Sequence, residues 1–251
     1  MVYICVPVHD EGRTIGPLLW KIRKVMADFG RDYEILVLDD ASRDETPDVL
    51  QRYRKTLPMR VIRSDERLGY ARATERLLRE AVRSAPYPKR DSVVTLQGDF
   101  SEDPAQIVEL VKTLEGGADI VAGCASSAGP SAPRGVRIMR RAAPWVVGRS
   151  WGRAPVSDPL CGLRVYRVIV LSKAFRTEEG DVALLSASEP LAVNLELLGL
   201  VAPHARRIEE APATGRYDLQ VRASRARPLK TLRELLRHRG RAWLQDAGEA
   251  A

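Results

Sequence analysis

The chain has 251 residues, and several things are scarce in it. No run reaches the roughly 18 to 20 apolar residues that a membrane-spanning helix needs, so no transmembrane segment is expected. The N-terminus runs straight into an apolar strand, Val2-Tyr3-Ile4-Cys5-Val6, with no charged-then-apolar leader. Cysteine is limited to Cys5, Cys124 and Cys161, an odd number with no close metal-type pair, and a reduced cytoplasm is the simplest setting. No G-x-G-x-x-G follows the first strand, which argues against a dinucleotide fold of the usual kind. There is no internal repeat and no linker long enough to separate a second domain. What remains is one large domain with a full core, since apolar residues make 45% of the chain and rule out general disorder.

The chain is organised around Tyr33 to Thr46. The apolar run Ile35 to Leu38 stops at Asp39 and Asp40, followed by Ser42, Asp44 and then Thr46-Pro47. Four apolar residues bounded by charge read as a buried parallel strand. Thr46 with Pro47 behind it predicts an N-cap with proline at the first helical position. The two carboxylates therefore sit where a strand leaves the sheet, and in open α/β sheets ligands bind beyond those carboxyl ends. They could hold a ribose or sugar hydroxyl, or reach a metal on phosphate; the bland alternative is a turn residue beside a solvated charge.

The same pattern recurs along the chain. Val2 to Val8 is a strand ending in Pro7-Val8-His9-Asp10-Glu11, before an apolar-periodic helix from Ile15 to Met26. Asp48 to Leu57 reads as a helix, Met59 to Arg63 as a strand, and Ser64 to Ala73 as a turn into a helix. Asp91 to Leu96 is a strand running into Gln97-Gly98-Asp99-Phe100-Ser101-Glu102, then come a helix from Ala105 to Leu114 and a strand from Asp119 to Gly123. Strands alternating with helices predict an α/β fold, a mostly parallel sheet with helices on both faces. After Cys124 the pattern breaks. Ile138 to Arg153 mixes apolar residues with arginines, and such a helix could lie on a membrane interface or pack on the domain. Glu189 to Leu200 reads as a helix and Val201 to Ile208 as a short strand region. From Pro228, leucines at helical spacing among basic residues predict a basic amphipathic helix.

Charge is uneven. The net charge is +7; Arg206 to Arg241 holds eleven Lys or Arg against four Asp or Glu, and Arg134 to Arg153 holds six arginines and no acid. Such blocks suit a nucleotide diphosphate, an anionic lipid or a nucleic acid, or form an arginine-rich surface with no partner. Basic residues without interleaved aromatics or a known motif make a poor case for nucleic acid, which is not expected as a partner.

Four segments, in order and each tied to an apolar run, resemble the family 2 glycosyltransferases with the GT-A fold: Val6 to Glu11, Glu34 to Thr46, Leu96 to Asp99 and Ser157 to Arg164. Within that family the likeness is to dolichyl- or polyprenyl-phosphate mannose synthases and related polyprenyl-phosphate sugar transferases. The resemblance implies a GT-A domain over 1–227, with a nucleotide-sugar half at 1–124 and an acceptor half at 125–227, and a basic amphipathic tail over 228–251. It places Pro7, Asp10, Glu11, Asp39 and Asp40 at the nucleotide. It places Gln97 and Asp99 on the Asp-x-Asp motif that carries Mg²⁺ or Mn²⁺, and Asp99, Asp158 and Arg164 at the catalytic centre. Arg141, Arg149, Ser224 and Arg225 fall with the phosphate of the acceptor. Two departures stand out: His9-Asp10 replaces the common Tyr-Asn, and Gln97 replaces the first carboxylate of the metal motif. A glutamine carbonyl can bind a hard cation but brings no charge, so metal affinity should fall unless Asp40, Ser101 or Glu102 compensates.

The chemistry so implied is an inverting displacement at a sugar's anomeric carbon, with a nucleotide-diphosphate sugar as donor and a lipid phosphate at a membrane surface as acceptor. An anionic acceptor needs positioning more than a base; Asp158 and Glu189 are the candidates if a hydroxyl must be deprotonated. A soluble or glycan acceptor is the runner-up, and a GT-A domain that binds a sugar nucleotide without transferring it is the alternative of a different class. The implied location is the cytoplasm, peripherally on the inner face of the membrane. The oligomeric state is not readable.

Overall fold

A computed structural model describes residues 1–124, 132–147, 156–176, 183–216, 218 and 227–238. Strand β1 (Val2–Val8) starts the sheet, helix α1 (Gly12–Phe29) crosses over it, and β2 (Tyr33–Asp40) pairs parallel beside it with Val8 opposite Asp39. Helix α2 (Thr46–Tyr53) leads to β3 (Met59–Ser64), again parallel. Helix α3 (Tyr70–Ser84) then carries the chain back across the sheet to β4 (Ser92–Thr95), on the other side of β1. Helix α4 (Ile107–Glu115), β5 (Ile120–Cys124) and α5 (Arg134–Val147) follow. The remaining elements are β6 (Arg164–Arg167), α6 (Val168–Arg176), α7 (Pro190–Val201), β7 (Ile208–Pro212) and α8 (Pro228–His238).

The seven strands lie in the order β3-β2-β1-β4-β6-β5-β7, and only β6 runs antiparallel to its neighbours. The order reverses between β1 and β4, because α3 returns the chain past its starting strand. Two neighbouring loops therefore diverge at that point, and a crevice opens between them.

Alternation along the strands divides the core. Tyr3 and Cys5 of β1, with Leu36 and Leu38 of β2, face a cluster built from α3, α6 and α7. Ile4, Val6, Ile35 and Val37 face the opposite cluster, built from α1 and α4. Helix α7 is buried nearly all round, which explains its apolar sequence without a polar stripe.

Some local expectations need correction. Thr46 is not an N-cap: the helix begins at Thr46, Glu45 precedes it, and the Thr46 hydroxyl is buried between Asp44 and the Glu11 N–H. The strand expected over 201–208 starts only at Ile208, because Ala202–His204 continues α7 as a 3₁₀ turn. The helix expected from Ile138 begins at Arg134. The predicted basic helix forms over Pro228–His238 and packs against α5 and α7, with Leu235 and Thr231 buried; residues 239–251 lie outside the described residues.

Candidate active site

A cavity of about 690 Å³ opens at the β1/β4 divergence. Pro7 to Glu11 from the end of β1 form one wall, and Gln97 to Asp99 with Ser101 from the end of β4 form another. The turn before α3 adds Arg67, Gly69 and Tyr70, and the start of α7 adds Ser188 to Leu191. Val136 of α5 and Arg227 and Lys230 at the start of α8 close the rim. The volume is in the range of sites that hold a small ligand of cofactor size.

The β1–α1 turn is stitched to the β2–α2 turn. The backbone N–H of Asp10 donates to Ser42 Oγ at 3.0 Å, that of Glu11 to Thr46 Oγ1 at 2.8 Å and that of Gly12 to Asp44 Oδ2 at 3.0 Å. In return the Arg43 N–H donates to Asp10 Oδ1 at 2.8 Å. Asp10 adopts a left-handed conformation, φ 51°, which Asp tolerates better than bulkier residues. His9 lies between two oxygens, with Nδ1 2.6 Å from the Asp40 carbonyl and Nε2 3.2 Å from Asp10 Oδ2. Glu11 accepts from Thr14 Oγ1 at 2.8 Å.

The paired carboxylates of β2 separate because neighbouring strand residues point to opposite faces. Asp40 borders the cavity, and its two oxygens accept from the backbone N–H groups of Leu68 and Gly69 at 2.5 and 2.9 Å. It thereby fixes the turn that brings Arg67 and Tyr70 to the wall. Asp39 is 1% exposed, accepts from the Ser42 N–H at 3.1 Å and does not line the cavity.

The segment from Gly98 to Phe100 is tightly constrained. A Cβ on Gly98 would stand 2.6 Å from Val8 Cγ1 and 3.1 Å from the Pro7 carbonyl, so the ends of β1 and β4 meet only because that position is glycine. Phe100 has φ 64°, a conformation that costs an aromatic residue on the order of 1 to 3 kcal/mol. Asp99, on the cavity wall between them, accepts from the Ser101 N–H at 3.0 Å.

Behind this wall lies Glu102, 4% exposed. Its Oε2 accepts from the Gln97 N–H at 3.1 Å, and Oε1 has no hydrogen-bond partner among the described residues. Burial pushes its carboxyl up to about 7, and the charge of Asp99 adds to the shift. The folded protein thus holds this proton more tightly than the unfolded chain does, so stability is expected to decline as pH rises from about 4.5 to about 7. Glu102→Gln should flatten that slope and leave the variant more stable than the parent above pH 7, by up to about 3 kcal/mol. Denaturant titrations across this range check it; parallel curves for the two proteins would contradict it.

The expected catalytic residues are not brought together. Asp158 is buried, bonded to Arg140 Nη1 at 3.0 Å and to the Leu160 N–H at 3.2 Å, and does not line the cavity. Burial raises its pKa despite Arg140. Arg164 is fully buried, donating to the carbonyl oxygens of Asn194 and Pro159, the latter at 2.6 Å. Asp158 thus ties the approach to β6 to α5, and Arg164 ties it to α7. Of the expected phosphate residues, Arg141 projects from the exposed face of α5, while Arg149, Ser224 and Arg225 lie outside the described residues.

The cavity also has residues the sequence reading did not single out: Arg67, Tyr70, Arg227 and Lys230. The Tyr70 hydroxyl donates to Asn194 Oδ1 at 3.2 Å, and burial, then the charges of Glu102 and Asp99, raise its pKa. Lys230 Nζ lies 3.3 Å from Glu189 Oε1, and the Arg227 N–H donates to Glu189 Oε2 at 3.2 Å. Only the fold-back of α8 places these cations; the basic run around them was the one available signal.

A crevice at a topological switch point, with carboxylates at strand ends and cations among its lining, is where open α/β sheets bind their ligands. A sequence profile described as Glycosyl transferase family 2 matches residues 3–175, and the chain belongs to that family. It is 29% identical over 180 residues to the undecaprenyl-phosphate 4-deoxy-4-formamido-L-arabinose transferase of Pseudomonas syringae pv. syringae (strain B728a), covering 71% of this chain and 50% of the relative. It is 23% identical over 177 residues to the dodecaprenyl-phosphate galacturonate synthase of Rhizobium johnstonii, covering 68% of this chain and 48% of the relative. The chain thus spans about half the length of the curated relatives it matches. Among solved structures, glucosyl-3-phosphoglycerate synthase from Mycobacterium tuberculosis in complex with Mn²⁺, UDP-glucose and phosphoglyceric acid superposes with a TM-score of 0.61 at 20% identity, covering 96% of this chain and 80% of that one. A mannosyltransferase from Pyrobaculum calidifontis in complex with GDP-mannose and Mn²⁺ gives 0.53 at 20% identity, covering 85% and 56%. The GT-A fold is therefore the fold of this chain.

Proposed function

We propose that the protein transfers a sugar from a nucleotide-diphosphate sugar to a polyprenyl phosphate, with inversion at the anomeric carbon. The observation that carries this is that Asp99 lines one cavity together with Arg67, Arg227 and Lys230. The cavity also holds Asp10, Glu11, Asp40 and Glu189, so an anionic donor needs positive charge close to its diphosphate. The polyprenyl phosphate acceptor is favoured by the names of the matched relatives and by the cations at the rim.

In this reading the stitched turn at Asp10 and Glu11 receives the nucleotide. Asp40 acts indirectly, by holding the Leu68-Gly69 turn. Arg227 and Lys230 orient the anionic acceptor, whose phosphate oxygen attacks without needing to lose a proton. Glu189 holds both in place and sets their spacing.

Among the described residues no cluster of three or more His, Cys, Asp or Glu could hold a metal ion. One carboxylate, Asp99, and one amide oxygen, Gln97, would instead be the protein's donors to a Mg²⁺- or Mn²⁺-type ion that takes most of its ligands from a diphosphate and water. When bound, such an ion would neutralise charge developing on the leaving diphosphate. Metal binding should thus depend on nucleotide. Calorimetry is expected to show no metal binding to the protein alone, binding with a nucleoside diphosphate present, and a roughly tenfold or greater gain in affinity for Gln97→Asp. Unchanged affinity in Gln97→Asp would remove Gln97 from the donor set.

A thermal-shift panel of GDP, UDP, dTDP and CDP, each with and without Mn²⁺, tests the donor half directly. A ligand that binds only the folded state raises the melting temperature by mass action. A shift with one nucleotide that grows with metal is expected; no shift with any of them would overturn the reading.

A further inference from the structure

Among the described residues no helix is long and apolar enough to cross a membrane. The proposed acceptor is a lipid, so the cavity mouth has to face a bilayer. Two packed helices have the composition for this.

Among the described side chains of α5, Arg134, Arg137, Ile138 and Arg141 turn to solvent, while Val136, Met139 and Ala143 are buried. On α8 the outward residues are Leu229, Lys230, Arg233, Leu236 and Arg237. The helices pack against each other. The α5 sequence contains no acid. The α8 sequence has one, Glu234, and it is buried, accepting from Ser188 and from the Glu189 N–H. The outward faces of the two helices therefore carry six cations and no carboxylate of their own, with Lys230 paired to the buried Glu189 beside α8. They also hold half of the exposed large hydrophobic side chains among the described residues: Leu229 at 85%, Ile138 at 67% and Leu236 at 49%. Isolated exposed leucines are ordinary, but apolar side chains among like-signed cations on adjoining helices are the pattern of an interfacial surface.

Position gives the pattern its meaning. Val136 of α5 and Lys230 of α8 line the cavity, so both helices form its rim. Lys230 belongs to the outward stripe of α8 as well.

We propose that the outward faces of α5 and α8 form a docking surface for an anionic lipid bilayer, seating the cavity mouth against it. Ile138, Leu229 and Leu236 enter the headgroup–acyl boundary, and the arginines meet lipid phosphates. This rests on the lipid-acceptor reading above and goes beyond it by assigning the surface and the orientation.

The test uses the full chain and vesicles of phosphatidylcholine with or without phosphatidylglycerol. Co-sedimentation with the phosphatidylglycerol vesicles is expected, weakening with salt and absent with phosphatidylcholine alone. Arg233→Gln/Arg237→Gln should weaken binding roughly fivefold per charge removed. Ile138→Ser/Leu229→Ser/Leu236→Ser should weaken it further with no change in melting temperature or nucleotide binding, because these side chains are exposed. With a short, water-soluble prenyl phosphate both variants should transfer sugar as the parent does, while transfer to vesicle-embedded polyprenyl phosphate falls. A parent chain that ignores anionic vesicles, or variants that bind them undiminished, would overturn the proposal. So would salt-sensitive oligonucleotide binding through the same arginines in place of vesicle binding. Vesicle binding that responds to the variants, with no transfer to either acceptor, would support the surface and remove the acceptor assignment.

Discussion

Replacing Asp99 with asparagine is expected to lower sugar transfer by roughly 10²- to 10³-fold, the usual scale for losing one preorganised electrostatic group. The substitution keeps the size of the side chain and its acceptor for the Ser101 N–H, which is 3.0 Å away in the parent. The melting temperature should therefore change little. In the proposed donor set Asp99 is the charged member, so metal binding in the presence of nucleoside diphosphate should fall together with turnover. Nucleotide binding without metal should persist, because the turn at Asp10 and Glu11 is untouched. Unchanged transfer in Asp99→Asn would take Asp99 out of the site and leave the strained backbone at Phe100 without a functional account.

The largest expected effect on stability lies outside the cavity. Arg140→Met should destabilise the fold by about 3 to 5 kcal/mol at neutral pH, because it strands the buried Asp158 carboxylate. The pair itself contributes little: Asp158 still titrates above the ordinary aspartate range, so desolvation already outweighs the Arg140 charge. Breaking it is what costs. In the variant Asp158 should bind a proton more readily still. A group whose folded pKa is raised adds stability at low pH and loses it as pH rises, so the deficit should shrink in acid. Arg140→Met/Asp158→Leu should recover most of the loss. Urea denaturation of the three proteins checks this; a single variant as stable as the parent would show that the pair is solvated. Arg140 is also the anchor of α5, and α8 packs on α5, so the single variant should loosen the cavity rim as well.

The strand ends were legible from sequence because the signal is local. An apolar run that stops at charged or polar residues marks the edge of a sheet, and β1, β2 and β4 all end within a residue or two of their predicted bounds. Which side chain of an adjacent pair faces the ligand was not legible. Asp39 and Asp40 are equivalent as letters, yet one is sealed under Ser42 and the other holds the turn before α3. Asp158 and Arg164 were assigned through a resemblance, and a motif does not reveal that both are consumed by buried partners. The antiparallel β6 could not be seen either, since four residues, Arg164–Arg167, follow a segment with no strand period. Arg227 and Lys230 reach the cavity only because Glu234 fastens α8 to the start of α7, a tertiary contact with no local signature.

The proposed reaction is transfer of a sugar to a lipid phosphate. The most direct test mixes the purified chain with a panel of nucleotide-diphosphate sugars, Mg²⁺ or Mn²⁺ and a short polyprenyl phosphate, and follows both products by mass spectrometry. The expected result is equal amounts of nucleoside diphosphate and polyprenyl-phosphate sugar from one donor, only with metal and not in Asp99→Asn. Nucleoside diphosphate released with no glycosylated lipid, or no turnover of any donor, would contradict it.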